Sequence, residues 1–261
     1  MPDSDDLVRD FYQKDEYIIR NPSLHEEDSA WKVEKIIPLV DKFVGNINKK
    51  KINLLDVGGG AGIILNSISS YINERHNLNV TKYALDLSPG ALALQKQRNP
   101  DLEKALNEDI CQTSFGDKEI DLTLMIDLLE HVSNPIKALE EVRRVSNYVL
   151  FKVPLDICLT GRIRNFFGHG ALRKHDIYQL GHINNYSYRS LSDQLQKHAG
   201  RILGFYFTNV HEYYLNSPYY KIRQSRKGKL LARGGALSFR LSPRLAALIF
   251  VDFAMFLVKC D

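Results

Sequence analysis

The sequence predicts an α/β fold with a mostly parallel sheet, and three observations carry that prediction. Between residues 53 and 153, short apolar runs alternate with stretches of helical period. This is the rhythm of right-handed βαβ crossovers with helices on both faces of a sheet. The first apolar run leads into Leu54-Leu55-Asp56-Val57-Gly58-Gly59-Gly60-Ala61-Gly62, a strand-to-helix turn where a ligand can lie against bare backbone at the positive end of a helix dipole. Each of the first four strand ends also offers a polar residue, at the edge where open sheets bind ligands. A chain of 261 residues can bury such a core and still carry an elaboration or a small lid.

The elements follow in order. Leu7, Phe11 and Tyr12 mark a short amphipathic helix with Tyr17 just beyond it, and Asn21-Pro22-Ser23 breaks the chain. Trp31, Val33, Ile36, Ile37, Val40 and Phe43 share one face of a second helix. Residues 1–50 therefore read as a helical cap, and Lys49-Lys50-Lys51 leads into the sheet. Strand one is Asn53–Val57, with a helix near Ile63–Arg75. Strand two is Thr81–Asp86, and Ser88-Pro89 supplies a cap and a first-turn proline for its helix. A short third strand around Ala105–Asn107 leads to Glu108-Asp109-Ile110. Strand four is Asp121–Met125, followed by a helix from Pro135 to Val145, and strand five is Tyr148–Val153, ended by Pro154. Residues 156–188 then read as a lid insertion rich in Gly, Arg, His and aromatics. Ser190 to His198 is a helix, Leu203–Val210 a sixth strand, 216–244 a basic insertion, and Phe250–Lys259 the last strand. The core is thus expected in 51–155 and 189–261, interrupted by the lid.

Composition narrows the class. The net charge of +4 hides a split, with a balance of −7 over residues 1–156 and +11 over residues 157–261. No acidic residue occurs between Glu212 and Asp252, which suits either an anionic partner or a plain solvated face. No run reaches the roughly 18 apolar residues of a membrane span. The opening Met-Pro-Asp-Ser-Asp-Asp has no signal character, so a cytoplasmic protein is expected. Cys111, Cys158 and Cys260 are scattered, and neither a disulfide framework nor a metal site is expected.

The glycine turn carries the chemistry. A dinucleotide fingerprint needs glycine where this chain has Ile63. The spacing here is Asp-x-Gly-x-Gly-x-Gly from Asp56 to Gly62, which resembles the first motif of class I S-adenosylmethionine-dependent methyltransferases. The segment Met125-Ile126-Asp127-Leu128-Leu129-Glu130-His131-Val132 resembles the stretch after strand four in the quinone-biosynthesis-like, type 11 branch. Gly181-His182-Ile183-Asn184-Asn185-Tyr186-Ser187 is similar to that branch's substrate-facing segment. The resemblance covers about residues 10–210 and the last strand.

The resemblance implies a Rossmann-like, seven-stranded, mostly parallel sheet with an antiparallel last strand. It implies S-adenosylmethionine as cofactor, held at Asp56, Gly58, Gly59, Gly60 and Gly62. Asp86, with Leu87 beside it, would accept from the ribose hydroxyls. Asp109 would accept from the adenine amino group, with Ile110 against the ring. The backbone at Asp127 and Leu128 would line the sulfonium end, and Tyr17, like Tyr12, would close over the cofactor. In-line methyl transfer needs alignment and exclusion of water above all, which supplies about 7–11 kcal/mol. A general base adds roughly 10²–10⁴-fold. His131 and His182 are the candidates for it, with His169 and His175 as further histidines of the pool. The expected acceptor is a small or medium-sized organic molecule, anionic or carrier-bound. The rival readings are methylation of RNA or protein through the basic half, and a cofactor-binding regulator without turnover.

Overall fold

A computed structural model describes residues 4–168, 170, 173, 177, 181–223 and 225–261. Seven strands form one sheet: β1 (Lys51–Val57), β2 (Asn79–Leu85), β3 (Leu102–Leu106), β4 (Ile120–Ile126), β5 (Ser146–Leu155), β6 (Arg201–Phe207) and β7 (Asp252–Lys259). Their order is β3-β2-β1-β4-β5-β7-β6. β7 runs antiparallel to both of its neighbours, and the pairs from β3 across to β5 are parallel. The strand order reverses between β1 and β4, and such a switch point opens a crevice at the carboxyl edge.

Period-two alternation divides the strands between two cores. Leu54, Leu122, Leu124, Leu150 and Leu257 pack on one face against Ile36, Val40 and Phe43 of α3 (Ser29–Val44) and Leu65, Ile68 and Ile72 of α4 (Ile63–His76). Leu55, Met125, Phe151 and Phe256 pack on the other face against Leu139 and Val142 of α6 (Pro135–Val145) and Leu191 of α8 (Tyr188–Gln194). Between these lie α5 (Pro89–Arg98) and α7 (Leu159–Phe167). Ser88 caps α5, its hydroxyl accepting from Ala91 N with Pro89 in the first turn.

Several boundaries differ from the sequence reading. β5 continues through Pro154 to Leu155 because β7 pairs with it there, beyond the last β4 pair at Ile126–Lys152. β6 stops at Phe207 rather than Val210. The Asp252 carboxylate accepts from Thr208 Oγ1, Asn209 N and Val210 N, which starts α9 (Val210–Asn216) instead. The last strand begins at Asp252, since Phe250 ends α12 (Pro243–Ile249). The third strand begins earlier than expected, at Leu102. The 190–198 helix starts at Tyr188 through a Ser187–Ser190 capping box and closes in a π turn at Leu195–Ala199. The basic insertion is helical, comprising α10 (Pro218–Arg223) and α11 (Arg226–Leu241). The N-terminal segment holds two short helices before α3, α1 (Ser4–Gln13) and α2 (Glu16–Arg20).

Candidate active site

The carboxyl edges of β1, β2 and β4 open on two adjoining cavities of about 300 and 290 Å³. Tyr17, Leu24, Gly58, Gly60, Asp127 and His131 line both, so they form the partition.

The glycine turn is shaped by the carboxylate ahead of it. Asp56 is 1% exposed, and a Cβ on Gly59 would lie 2.0 Å from its Oδ2. Glycine at 59 therefore leaves room for the carboxylate, while Gly58, Gly60 and Gly62 take positive φ of 65°, 52° and 74°, a region that favours glycine. Asp56 Oδ2 has no hydrogen-bond partner. Burial first, and then the charge of Asp86, raise this carboxyl to about 7. A buried acceptor without a donor is costly, and a cationic or hydrogen-bonding ligand reaching the turn would satisfy it.

Asp86, Leu87, Asp109, Ile110 and Leu128 all line the first cavity. Asp86 Oδ1 accepts from Ser88 N at 2.9 Å, and burial raises its carboxyl to about 6 despite the backbone donors around it. Asp109 Oδ1 accepts from Cys111 N at 2.9 Å, which holds its turn in place. Gly62 lines neither cavity. Its carbonyl accepts from Asn99 Nδ2 at 3.0 Å and it begins α4, so it sets the turn rather than the wall.

Asp56 and Gly59 line the second cavity, as does His182. Its far wall is aromatic, built from Trp31, Tyr213, Tyr214, Tyr220 and Phe253. Trp31 and Tyr213 stack with centroids 4.6 Å apart. Beneath them lies a charge network around Asp127. Its carboxylate pairs with Lys152, which is 1% exposed, and at 3.0 Å with Lys32, which also holds Asp28 at 2.8 Å. Burial opposes ionisation of Asp127, but the two lysines outweigh it and hold the carboxyl well below its usual range. Lys152 Nζ also sits 3.4 Å from the centre of the Phe253 ring.

The histidines meet because the 181–186 segment docks on the turn after β4. Ile183 N and Asn184 N donate to Glu130 O at 2.9 and 3.0 Å, and Asn184 Nδ2 donates to Leu129 O and Val132 O. His131 Nδ1 lies 3.1 Å from Gly181 O and 2.9 Å from Tyr12 Oη. Burial, then His182, push the His131 imidazole down to about 3, so it stays neutral. Burial lowers His182 as well, but Asp156 and Glu130 outweigh it and raise it overall. Burial and Asp127 raise Glu130 to about 8. Glu130, His131 and His182 place one donor atom each within 4.8 Å of one another, a grouping compact enough to hold a metal ion. His169 and His175 lie outside the described residues.

Sequence reasoning missed Glu130, Lys32, Lys152 and the aromatic wall. A lysine inside the apolar run Val149–Pro154 was the one visible anomaly. Arg226, Lys227, Lys229 and Arg233 are exposed and line neither cavity.

Comparisons with known proteins bear on this geometry. A family model described as a methyltransferase domain matches residues 55–147. No curated protein matches the chain. Among solved structures, the geranyl diphosphate C-methyltransferase from Streptomyces coelicolor A3(2) is similar with a TM-score of 0.54 at 10% identity, over 86% of this chain and 80% of that one. The cyclopropane synthase MmaA2 from Mycobacterium tuberculosis gives 0.55 at 13% identity, over 85% and 83%. The [4+2]-cyclase SpnF gives 0.54 at 14% identity, over 85% and 80%. At such identities the likeness is one of fold, and the cyclase shows that this fold also hosts other chemistry. The family model thus covers the glycine turn and the four strands around it, and gives residues 55–147 of this seven-stranded sheet as a methyltransferase domain.

Proposed function

We propose that the chain methylates a small organic molecule whose body rests on the Trp31–Tyr213 wall, with the cofactor lying from the first cavity to the partition. The observation that carries this reading is the pair of adjoining cavities that share Gly58, Gly60, Asp127 and His131. Donor and acceptor can then meet at the partition, away from water. The cofactor fits the residues present. Asp56 has an unpartnered oxygen suited to an ammonium, and the turn beside it has no room for a Cβ at 59. When bound, the cofactor supplies an electrophilic methyl group on a sulfonium. In this reading Asp86 orients the ribose, Asp109 and Ile110 hold the adenine, and Tyr17 and Leu128 cover the sulfur end.

The acceptor's chemistry follows from the second cavity. Stacked aromatics favour a planar or apolar body. The lysine that lines this space, Lys32, is already committed to Asp127 and Asp28. The side chains there leave no uncommitted lysine to hold a phosphate, so a neutral hydroxyl fits better as the reacting end. The exposed cations of α11 stand apart from both cavities, and a role for them in holding an RNA substrate has no support from the cavity geometry.

Calorimetric titration with S-adenosylhomocysteine tests the cofactor half. Micromolar binding is expected, with Asp86→Ala weakening it by about 1.5–3 kcal/mol, the worth of hydrogen bonds to a charged group. Unchanged affinity in Asp86→Ala would discard the assignment of that residue.

A further inference from the structure

We infer that Glu130, His131 and His182 form a binding site for one divalent transition-metal cation at the wall of the acceptor cavity. Three independent features converge on it. The donors are mixed, two imidazoles and one carboxylate, and lie within 4.8 Å of one another. Bonds of about 2.0–2.2 Å would require only a modest inward turn of these side chains. Two histidines with one carboxylate and open positions is a recurrent set for Zn²⁺ and Fe²⁺, whereas Mg²⁺ and Ca²⁺ prefer oxygen alone.

The second feature is the support behind the donors. Metal-ligating histidines usually give their other ring N–H to a carbonyl or carboxylate. His131 Nδ1 faces Gly181 O at 3.1 Å, and His182 Nδ1 faces Asp156 Oδ2 across 3.6 Å, an ion-pair contact longer than a hydrogen bond. The Nδ1 atoms of both rings thus face protein oxygens.

The third is an unmet demand. Glu130 is 1% exposed and its Oε2 has no partner. The nearby lysines are committed elsewhere, Lys152 to Asp127 and Lys32 to Asp127 and Asp28. A buried carboxyl oxygen without a partner is costly, and a cation between it and the two imidazoles would satisfy it. All three side chains face the second cavity, so the remaining coordination positions open toward the acceptor.

This placement gives the cation a task, which rests on the function proposed above. An acceptor hydroxyl bound to the metal loses its proton to solvent more readily. Its oxygen then forms the new C–O bond as the C–S bond breaks and the sulfonium becomes a neutral thioether. One proton leaves per turnover and no redox partner is needed. The site therefore points to O-methylation.

The test uses tag-free, chelator-treated protein titrated with Zn²⁺, Mn²⁺ or Co²⁺. Calorimetry and the visible absorption of bound Co²⁺ are the readouts. One equivalent of Zn²⁺ or Co²⁺ is expected, with a spectrum of mixed nitrogen and oxygen ligation. Glu130→Gln and His182→Ala should weaken binding at least tenfold. Asp156→Asn, which touches no metal, should weaken it about 10–100-fold. S-adenosylhomocysteine affinity of the metal-free protein should be retained in Asp156→Asn, which shows that the variant folds and separates this inference from the cofactor assignment. The inference is overturned if the chelated protein takes up no stoichiometric cation, or if Glu130→Gln and His182→Ala bind it as well as the parent does.

Discussion

At the scale of single residues, the sharpest consequence concerns Asp56 and Asp86. Burial raises both carboxyls, to about 7 and about 6 from the usual 3.8 of an aspartate. The sign follows directly. The folded, ligand-free chain binds more protons than the unfolded chain between about pH 4 and pH 7, so these groups make its stability fall as pH rises through that window. An ammonium beside Asp56 and ribose hydroxyls on Asp86 favour the ionised forms, so binding must release protons at the acid end of the window. Affinity for S-adenosylhomocysteine is therefore expected to rise by up to about tenfold per pH unit between about pH 6 and pH 7, more steeply below about pH 6 where both carboxyls take up protons, and to level off above about pH 7. Titrations in buffers of different ionisation enthalpy would count the protons, and an affinity that falls or stays flat from about pH 5.5 to pH 7 would remove Asp56 from the site. Asp56, Asp86 and Asp109 were legible in the sequence because the chain places each at a strand end, and the sheet needs nothing further to gather them. Lys152 was not, since its counter-charge comes from Asp127 and its rings from Trp31 and Phe253. No local pattern joins those four positions.

At the scale of elements, the junction of α1 and α2 covers the cofactor side and is pinned at two points. Asp15 Oδ1 accepts from Ser88 Oγ at 2.5 Å and from Gly90 N at 3.1 Å, at the start of α5. Tyr12 Oη meets His131 Nδ1 at 2.9 Å. α2 buries none of its residues, so apolar packing contributes little to holding it down. Hydrogen bonds to a charged group are worth about 1.5–3 kcal/mol. Asp15→Ala is then expected to speed S-adenosylhomocysteine release by roughly ten- to a hundredfold while leaving the thermal midpoint within a few degrees, as stopped-flow and calorimetric traces would show. A release rate unchanged in Asp15→Ala would mean that α1 and α2 do not gate the cavity. The existence of α1 was readable from Leu7, Phe11 and Tyr12, but its docking was not. That depends on Ser88 and His131, which follow Asp15 by more than seventy positions. Element ends were misread for the same reason. The carboxylate of Asp252 decides that Asn209 and Val210 open a helix, although Leu203–Val210 reads as one continuous strand.

At the scale of the whole molecule, the decisive feature is that the chain's last strand is an interior one. β7 pairs with β5 at every position from Tyr148–Lys259 to Leu155–Asp252 and with β6 on its other side. Its residues Met255 and Leu257 belong to one core, and Ala254, Phe256 and Val258 to the other. Each large apolar side chain fully buried stabilises by about 1.5–3 kcal/mol. Four of them thus contribute about 6–12 kcal/mol, against a total of about 5–15 kcal/mol for an ordinary domain. Removing residues 252–261 should therefore abolish the cooperative thermal transition and leave two strand edges open to aggregation. Removing residues 1–20 gives the opposite contrast. Little packed core is lost with α2, so a single cooperative transition should survive while affinity for S-adenosylhomocysteine drops through loss of Tyr12, Asp15 and Tyr17. Differential scanning calorimetry of both truncations, with and without the ligand, separates the roles. A surviving cooperative transition in the 252–261 deletion would refute the integrating role of β7. Equal collapse of both variants would instead make the N-terminal helices part of the folding unit rather than a cover on a finished site.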